Sequence, residues 1–171
     1  MAMMGGRMRT GDRRRDLDSL PIDPDSGGGA GVPFHLHPEA LSLVFLGGAA
    51  GTAARYGIEH LLPHEGTGWP TGTFVINLVG AAVLGGLLEA LARLGPDSGW
   101  RRRARVLVGT GGCGAFTTYS TLALEASLLV RDGAAGLAAG YAAASVVGGI
   151  IAAWAGITAA AYLRPTADGD R

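Results

Sequence analysis

The chain has 171 residues, of which 48% are hydrophobic, 16% charged and 30 glycine, and its formal net charge is zero. Apolar residues gathered in long blocks exclude an ordinary soluble domain, and the neutral balance offers no electrostatic footprint for nucleic acid. All 14 basic residues are arginine, a composition that with abundant Ala and Gly points to a GC-rich bacterial source, and the lone Cys113 excludes an intrachain disulfide or a cysteine metal cluster.

Residues 1–40 open the chain with RMRTGDRRRD and PIDPDSGGGAGVP. They contain neither an apolar core nor a small-residue cleavage site, so they read as a disordered cytoplasmic tail and not as a secretory signal. His35 and His37 lie two apart near its end with no cysteine nearby, and a metal pair is not the expected reading. Four membrane spans follow, about 41–62, 70–94, 103–130 and 133–163, and residues 164–171 form a C-terminal tail. The first span carries Arg55, Glu59 and His60 near its end. Pro70 suits the start of the second and Gly95-Pro96 its stop. The fourth is uncharged throughout.

Small residues recur four apart at Gly47 and Gly51, Gly136 and Gly140, and Ala152 and Gly156. In lipid, close backbone approach through such residues is how spans associate, so a tight bundle is expected. Four short spans are few to enclose a permeation path, which favours an oligomer. Arg93, Arg101, Arg102, Arg103, Arg105 and Arg164 share one side with the basic tail, against Arg131 on the other. The excess places both termini in the cytoplasm.

The third span contains 109-GTGGCGAFTTYSTLALE-125. A freed backbone group in hydrocarbon costs several kcal/mol, so non-helical chain at that depth must be buried in protein or line a polar cavity. Two readings of Gly111-Gly112-Cys113-Gly114 stand. It is a helix break whose carbonyls coordinate a cation and whose second half, restarting near Thr117, offers amides to an anion; or its glycines let helices cross closely. In the second span, Asn77 lies at mid-membrane depth with Thr73 one turn earlier on its face, and a helix–helix hydrogen bond is the plainer role for the amide. Tyr141 and Ser145 share a face of the fourth span. With Ser120, Thr121 and Glu125 they form a string of neutral donors and one carboxylate, and no pair of carboxylates, histidine or metal triad is expected to converge for hydrolysis or redox chemistry. Such a string suits a small, strongly hydrated ion. Phe116 and Tyr119 can add the positive rims of their rings for an anion.

The strings GGAAGTAARYG (47–57), GTFVINLVG (72–80) and GTGGCGAFTTYSTLALE (109–125) together resemble the Fluc (CrcB) family of fluoride channels, over about the last 130 residues. The resemblance implies an all-α membrane protein in the bacterial cell membrane: four-span subunits, broken in the third helix, paired antiparallel in the bilayer with two pores at their interface. It implies a structural sodium ion between subunits, held by the backbone carbonyls of Gly114 and Thr117. It makes Asn77 the pore amide, Ser120 and Thr121 the start of a hydroxyl track, Glu125 its continuation, and Arg55 a vestibule residue; Tyr141 and Ser145 correspond through less motif. The implied function is passive exit of cytoplasmic fluoride, driven by the inside-negative potential and relieving fluoride toxicity, with no bond made or broken and no enzyme activity.

Two departures stand out. The family's TTFSTF is here 117-TTYSTL-122, so Tyr119 and Leu122 replace the two pore phenylalanines, and leucine has no positive rim. The arginine bias fixes one orientation, as in paired genes with oppositely inserted products. Both suggest one half of a heterodimer whose partner supplies the missing rings. A rival class, the proton-coupled small multidrug exporter, needs a membrane carboxylate in the first span, for which Glu59 is the candidate. A non-transporting membrane scaffold would explain the small residues but not the polar string.

Overall fold

The computed structural model describes residues 36–64 and 66–163; the expectations for the rest of the N-terminal tail, for His35, for Arg164 and for the C-terminal tail lie outside them. Two units separate at His37–Pro38, and all that follows concerns the second. Its elements are α1 (Pro38–Leu61), α2 (Thr71–Arg93), α3 (Gly99–Ala104), a π-helical stretch (Arg105–Cys113), α4 (Gly114–Phe116), α5 (Tyr119–Arg131) and α6 (Ala135–Leu163). The described residues contain no strand and are all-helical, with four long helical segments of which the third, running from α3 to α5, is bent.

The punctuation read from the sequence sets the ends of these elements. Pro70 occupies the cap position of α2. Beyond α2, the Leu94 and Gly95 amides bond back to Leu91 and Ala92, and Gly95 adopts φ +116°, a conformation open to glycine, to turn the chain out of the helix. Gly133, at φ +81°, performs the same reversal between α5 and α6.

Two helices, Thr71–Arg93 and Ala135–Tyr162, are long and apolar enough to cross a membrane. At about 1.5 Å per residue, 23 residues of α2 reach about 35 Å, against a hydrocarbon core of about 30 Å. Much of their apolar surface faces outward, including Val79, Val83, Val146, Val147, Ile150 and Trp154. In α1 the charges of Glu39, Arg55 and Glu59 dilute the apolar content, and the third span is divided among shorter pieces.

Packing is by backbone contact. α1 lies along the π-helical stretch, where a Cβ on Gly47 would overlap the Leu107 carbonyl oxygen and one on Gly51 the carbonyl oxygen of Gly112. α2 lies along α6, where a Cβ on Gly156 would overlap the Ala82 carbonyl oxygen, and one on Gly85 would come within 2.5 Å of that of Ala153. Two of the three small-residue pairs therefore sit at helix crossings. The third does not: no atom of the described chain lies within 4 Å of a Cβ on Gly136 or Gly140, because α6 meets α2 through its later turns.

The arginines of the α2–α3 region are drawn together by carboxylates. Arg93 pairs with Glu89 at 2.5 Å, Arg105 with Asp97 at 2.7 Å, and Arg103 with Glu39 at 2.5 Å, the last joining the first turn of α1 to α3. Arg131 closes α5 at the other end of that span.

Candidate functional site

The break in the third span falls at Thr117–Thr118, later than the glycine cluster that the sequence suggested. Gly111 and Gly112 are π-helical, and Gly114 opens α4. They serve the other reading of that cluster, close crossing: Gly111 sits under the Val44 carbonyl and the backbone of Gly47 and Gly48. The extended residues are Thr117 (φ −77°, ψ 157°) and Thr118 (φ −148°, ψ 119°), and the helix restarts at Tyr119, two residues beyond the expected point. Threonine suits this role, because its branched Cβ favours extended backbone and its hydroxyl can cap the helix that follows.

Asn77 supplies what the break lacks. Its Oδ1 accepts from the Thr118 amide at 2.8 Å and its Nδ2 donates to the Thr118 carbonyl at 3.0 Å. Asn77 thus replaces the helical partner of the buried Thr118 amide and adds a bond to the Thr118 carbonyl, which as the cap also opens the hydrogen-bond ladder of α5. Gly80, one turn further along α2, makes room for the Thr117 methyl and the Phe116 ring. The asparagine and glycine of GTFVINLVG form the seat of the break.

Around Thr118 the hydroxyls gather. Its Oγ1 accepts from the Thr121 amide at 3.1 Å, capping α5, and lies 3.2 Å from Ser120 Oγ and 3.0 Å from Thr121 Oγ1. Thr118 was not among the site residues read from the sequence. A cap preference was the available signal, since a threonine directly before a helical run is favoured there.

The break also frees carbonyls. The amide that would meet the Gly114 carbonyl in a continuous helix is that of Thr118, which bonds Asn77 instead. The amide due to the Thr117 carbonyl is that of Thr121, which bonds the Thr118 hydroxyl. These are the two oxygens that the resemblance assigns to sodium, and a hard cation is suited by neutral oxygen donors of this kind. No three His, Cys, Asp or Glu side chains among the described residues come together as a metal site.

Glu125 ties three helices. Thr73 donates to its Oε1 at 2.8 Å and the Tyr141 hydroxyl to its Oε2 at 2.7 Å. Tyr141 is fully buried, with Trp69 edge-on to its ring at 5.5 Å and Leu122 packed against its cluster. Thr73, placed on the Asn77 face by spacing, serves Glu125 instead. Changing Tyr141 to Phe strips one carboxylate oxygen of its donor and is expected to lower stability by about 1–3 kcal/mol, read as thermal unfolding of the purified protein.

Two pockets flank these residues. One, of about 300 Å³, is lined by Asn77, Thr117, Thr118, Tyr119, Leu122, Ser145 and Val146. The Ser145 hydroxyl there is buried with no hydrogen-bond partner among the described residues. The other, of about 290 Å³, is lined by Glu59, His64, Thr73, Thr121 and Glu125 among others. Two carboxylates and a histidine therefore do reach one pocket, contrary to the sequence expectation, because Gly72 lets the start of α2 pack beneath Glu59 and Leu62 at the end of α1. Tyr119 is 82% exposed, Ser120 is exposed, and Phe116 is half-buried against the Gly80 position. Arg55 is half-buried, lines neither pocket, and meets no carboxylate among the described residues.

Apolar helices with outward-facing surfaces, interrupted by a polar seam at a broken span, define an all-helical membrane protein. The chain belongs to the CrcB family: a profile of the CrcB-like protein, Camphor Resistance (CrcB), matches residues 42–157. Relatives carry the name fluoride-specific ion channel. FluC 1 of Cutibacterium acnes is 48% identical over 122 residues, which span 71% of this chain and 85% of that protein. FluC 2 of Leifsonia xyli subsp. xyli is 46% identical over 131 residues, 77% of this chain and 90% of the relative. FluC of Chlorobaculum tepidum is 41% identical over 117 residues, 67% and 88% respectively. The exporter reading built on Glu59 is not favoured by this membership.

Proposed function

We propose that the chain is a fluoride channel subunit of the bacterial cell membrane, letting cytoplasmic fluoride leave passively. The observation that carries this reading is Ser145: a buried hydroxyl without a partner among the described residues, on a pocket shared with Asn77 and the break. An unpaired hydroxyl at that depth is costly, and an anion that accepts from it removes the cost. Asn77 adds a donor, since Thr118 uses one of the two N–H bonds on its amide nitrogen. Ser120 and Thr121 continue the hydroxyls toward the second pocket, where Glu125, held by Thr73 and Tyr141, fixes their surroundings. Fluoride sheds its water by exchanging it for such donors, and no group in the seam needs to react. Phe116 and Tyr119 offer ring rims to the path, and Arg55 would serve a vestibule.

The functional unit is an antiparallel dimer, supported by the outward apolar surface of α6 and by carbonyls of Gly114 and Thr117 that take no helical amide. Those carbonyls, with their counterparts in a second subunit, would hold a structural sodium ion, which supplies a fixed positive charge at the interface. Both termini lie in the cytoplasm by the arginine count. With Leu122 packed against the Tyr141 cluster and Tyr119 outward, the partner is a different CrcB-type subunit that carries the missing phenylalanines.

Fluoride and chloride efflux from liposomes tests both levels. The chain with its partner subunit is expected to release fluoride and retain chloride, and the chain alone to stay near the protein-free leak. Fluoride efflux from the chain alone would refute the heterodimer, and no fluoride efflux from either preparation would refute the channel.

A further inference from the structure

Outside the polar seam, the corner between α2 and α3 carries a cavity of about 220 Å³ lined by Leu88, Leu91 and Ala92 below and Asp97, Arg101 and Arg105 above. Three arginines and one carboxylate gather here: Asp97 takes Arg105 at 2.7 Å and Arg102 at 4.0 Å, while Arg101 pairs with no carboxylate among the described residues. The Arg101 side chain is positioned nonetheless, because its Nε donates to the Pro96 carbonyl at 2.7 Å. That bond holds the stem and leaves the two terminal nitrogens available. A planar fork with unspent donors is the geometry that phosphate oxygens match. Trp100, the next residue, is 57% exposed, and an indole beside an arginine cluster at a helix end is characteristic of the headgroup level of a bilayer.

We infer that this corner is a binding site for the phosphate headgroup of an anionic phospholipid, with Arg101 as its principal contact and Leu88 and Ala92 receiving the start of an acyl chain. Two features select a lipid over a free anion. The floor of the cavity is apolar, with Leu88 44% exposed, which hydrocarbon covers and an inorganic ion does not. The positive excess also stands at the end of a span, where basic pockets meet lipid headgroups. The site is independent of the fluoride path.

Native mass spectrometry of the full-length chain tests this, with phosphatidylglycerol and phosphatidylcholine of matched acyl chains added separately. The wild type is expected to retain phosphatidylglycerol about fivefold better than phosphatidylcholine, the scale of one arginine at a membrane surface. Arg101→Gln should erase that preference, and Arg131→Gln, at the other end of the third span, should keep it. Rising ionic strength should weaken the preference in the wild type, a check that requires no variant. Equal retention of both lipids, an unchanged preference in Arg101→Gln, or displacement of the lipid by equimolar inorganic phosphate would each overturn the inference.

Discussion

Asn77→Ala is expected to abolish fluoride efflux from reconstituted protein while the four spans still form. The substitution removes the acceptor for the Thr118 amide and the donor to its carbonyl together. The Thr118 amide is then left without an acceptor, at a cost of about 1–3 kcal/mol when buried and more at bilayer depth. The chain can escape that cost by rewinding Thr117 and Thr118 into helix, which would return the Gly114 and Thr117 carbonyls to helical amides and dissolve the seam. Efflux should fall about a hundredfold or more, the rate equivalent of about 3 kcal/mol. Asn77→Asp separates the two bonds, because a carboxylate still accepts from the Thr118 amide but gives nothing to the carbonyl, so its unfolding temperature should lie between those of wild type and Asn77→Ala. Wild-type efflux from Asn77→Ala would sink the assignment of this amide to the conducting site.

The second large effect lies away from the seam. At Gly51 an added Cβ overlaps the Gly112 carbonyl oxygen and stands 3.1 Å from both the Gly112 carbonyl carbon and the Phe116 amide. All of these neighbours are backbone, so no side chain can swing aside. Gly51→Val should therefore force α1 off the π-helical stretch at a cost of about 3 kcal/mol or more, and yield little monodisperse protein by gel filtration. Gly57→Val on the same helix, where nothing lies within 4 Å, should purify like the wild type and controls for the loss of a glycine as such. Equal behaviour of the two variants would mean that the crossing is not held by backbone contact.

The segment ends were legible because they are written locally. Pro70, Gly95 and Gly133 stop or turn the chain through their own dihedral preferences, and the second span, read as 70–94, is helical over Thr71–Arg93. The family was legible for a related reason, since its three strings are contiguous in the chain. The position of the break was not. Glycines suggested it by propensity, but Gly111 and Gly112 lie against the α1 backbone at Val44 to Gly48, whereas Thr118 has Asn77 waiting 41 residues upstream. A partner on another helix decides such a contest, and nothing in 109–125 reveals it. The same limit applies to Glu125, whose donors come from α2 and α6, and to Glu59 and His64, brought toward it by the close approach at Gly72. Gly136 and Gly140 show the converse error, a spacing that suggests a crossing which α6 makes elsewhere.

The hydroxyls of Thr118, Ser120 and Thr121 form a cluster with three hydrogens to share. Two oxygen-to-oxygen contacts join them, and each can absorb one hydrogen. Whichever way the rotors turn, a third is left over for an acceptor outside the trio. On the proposed channel reading, a visiting ion would find that donor ready, and as it passed, reorientation of light atoms would suffice to hand the bond from one oxygen to the next while the main chain stays still.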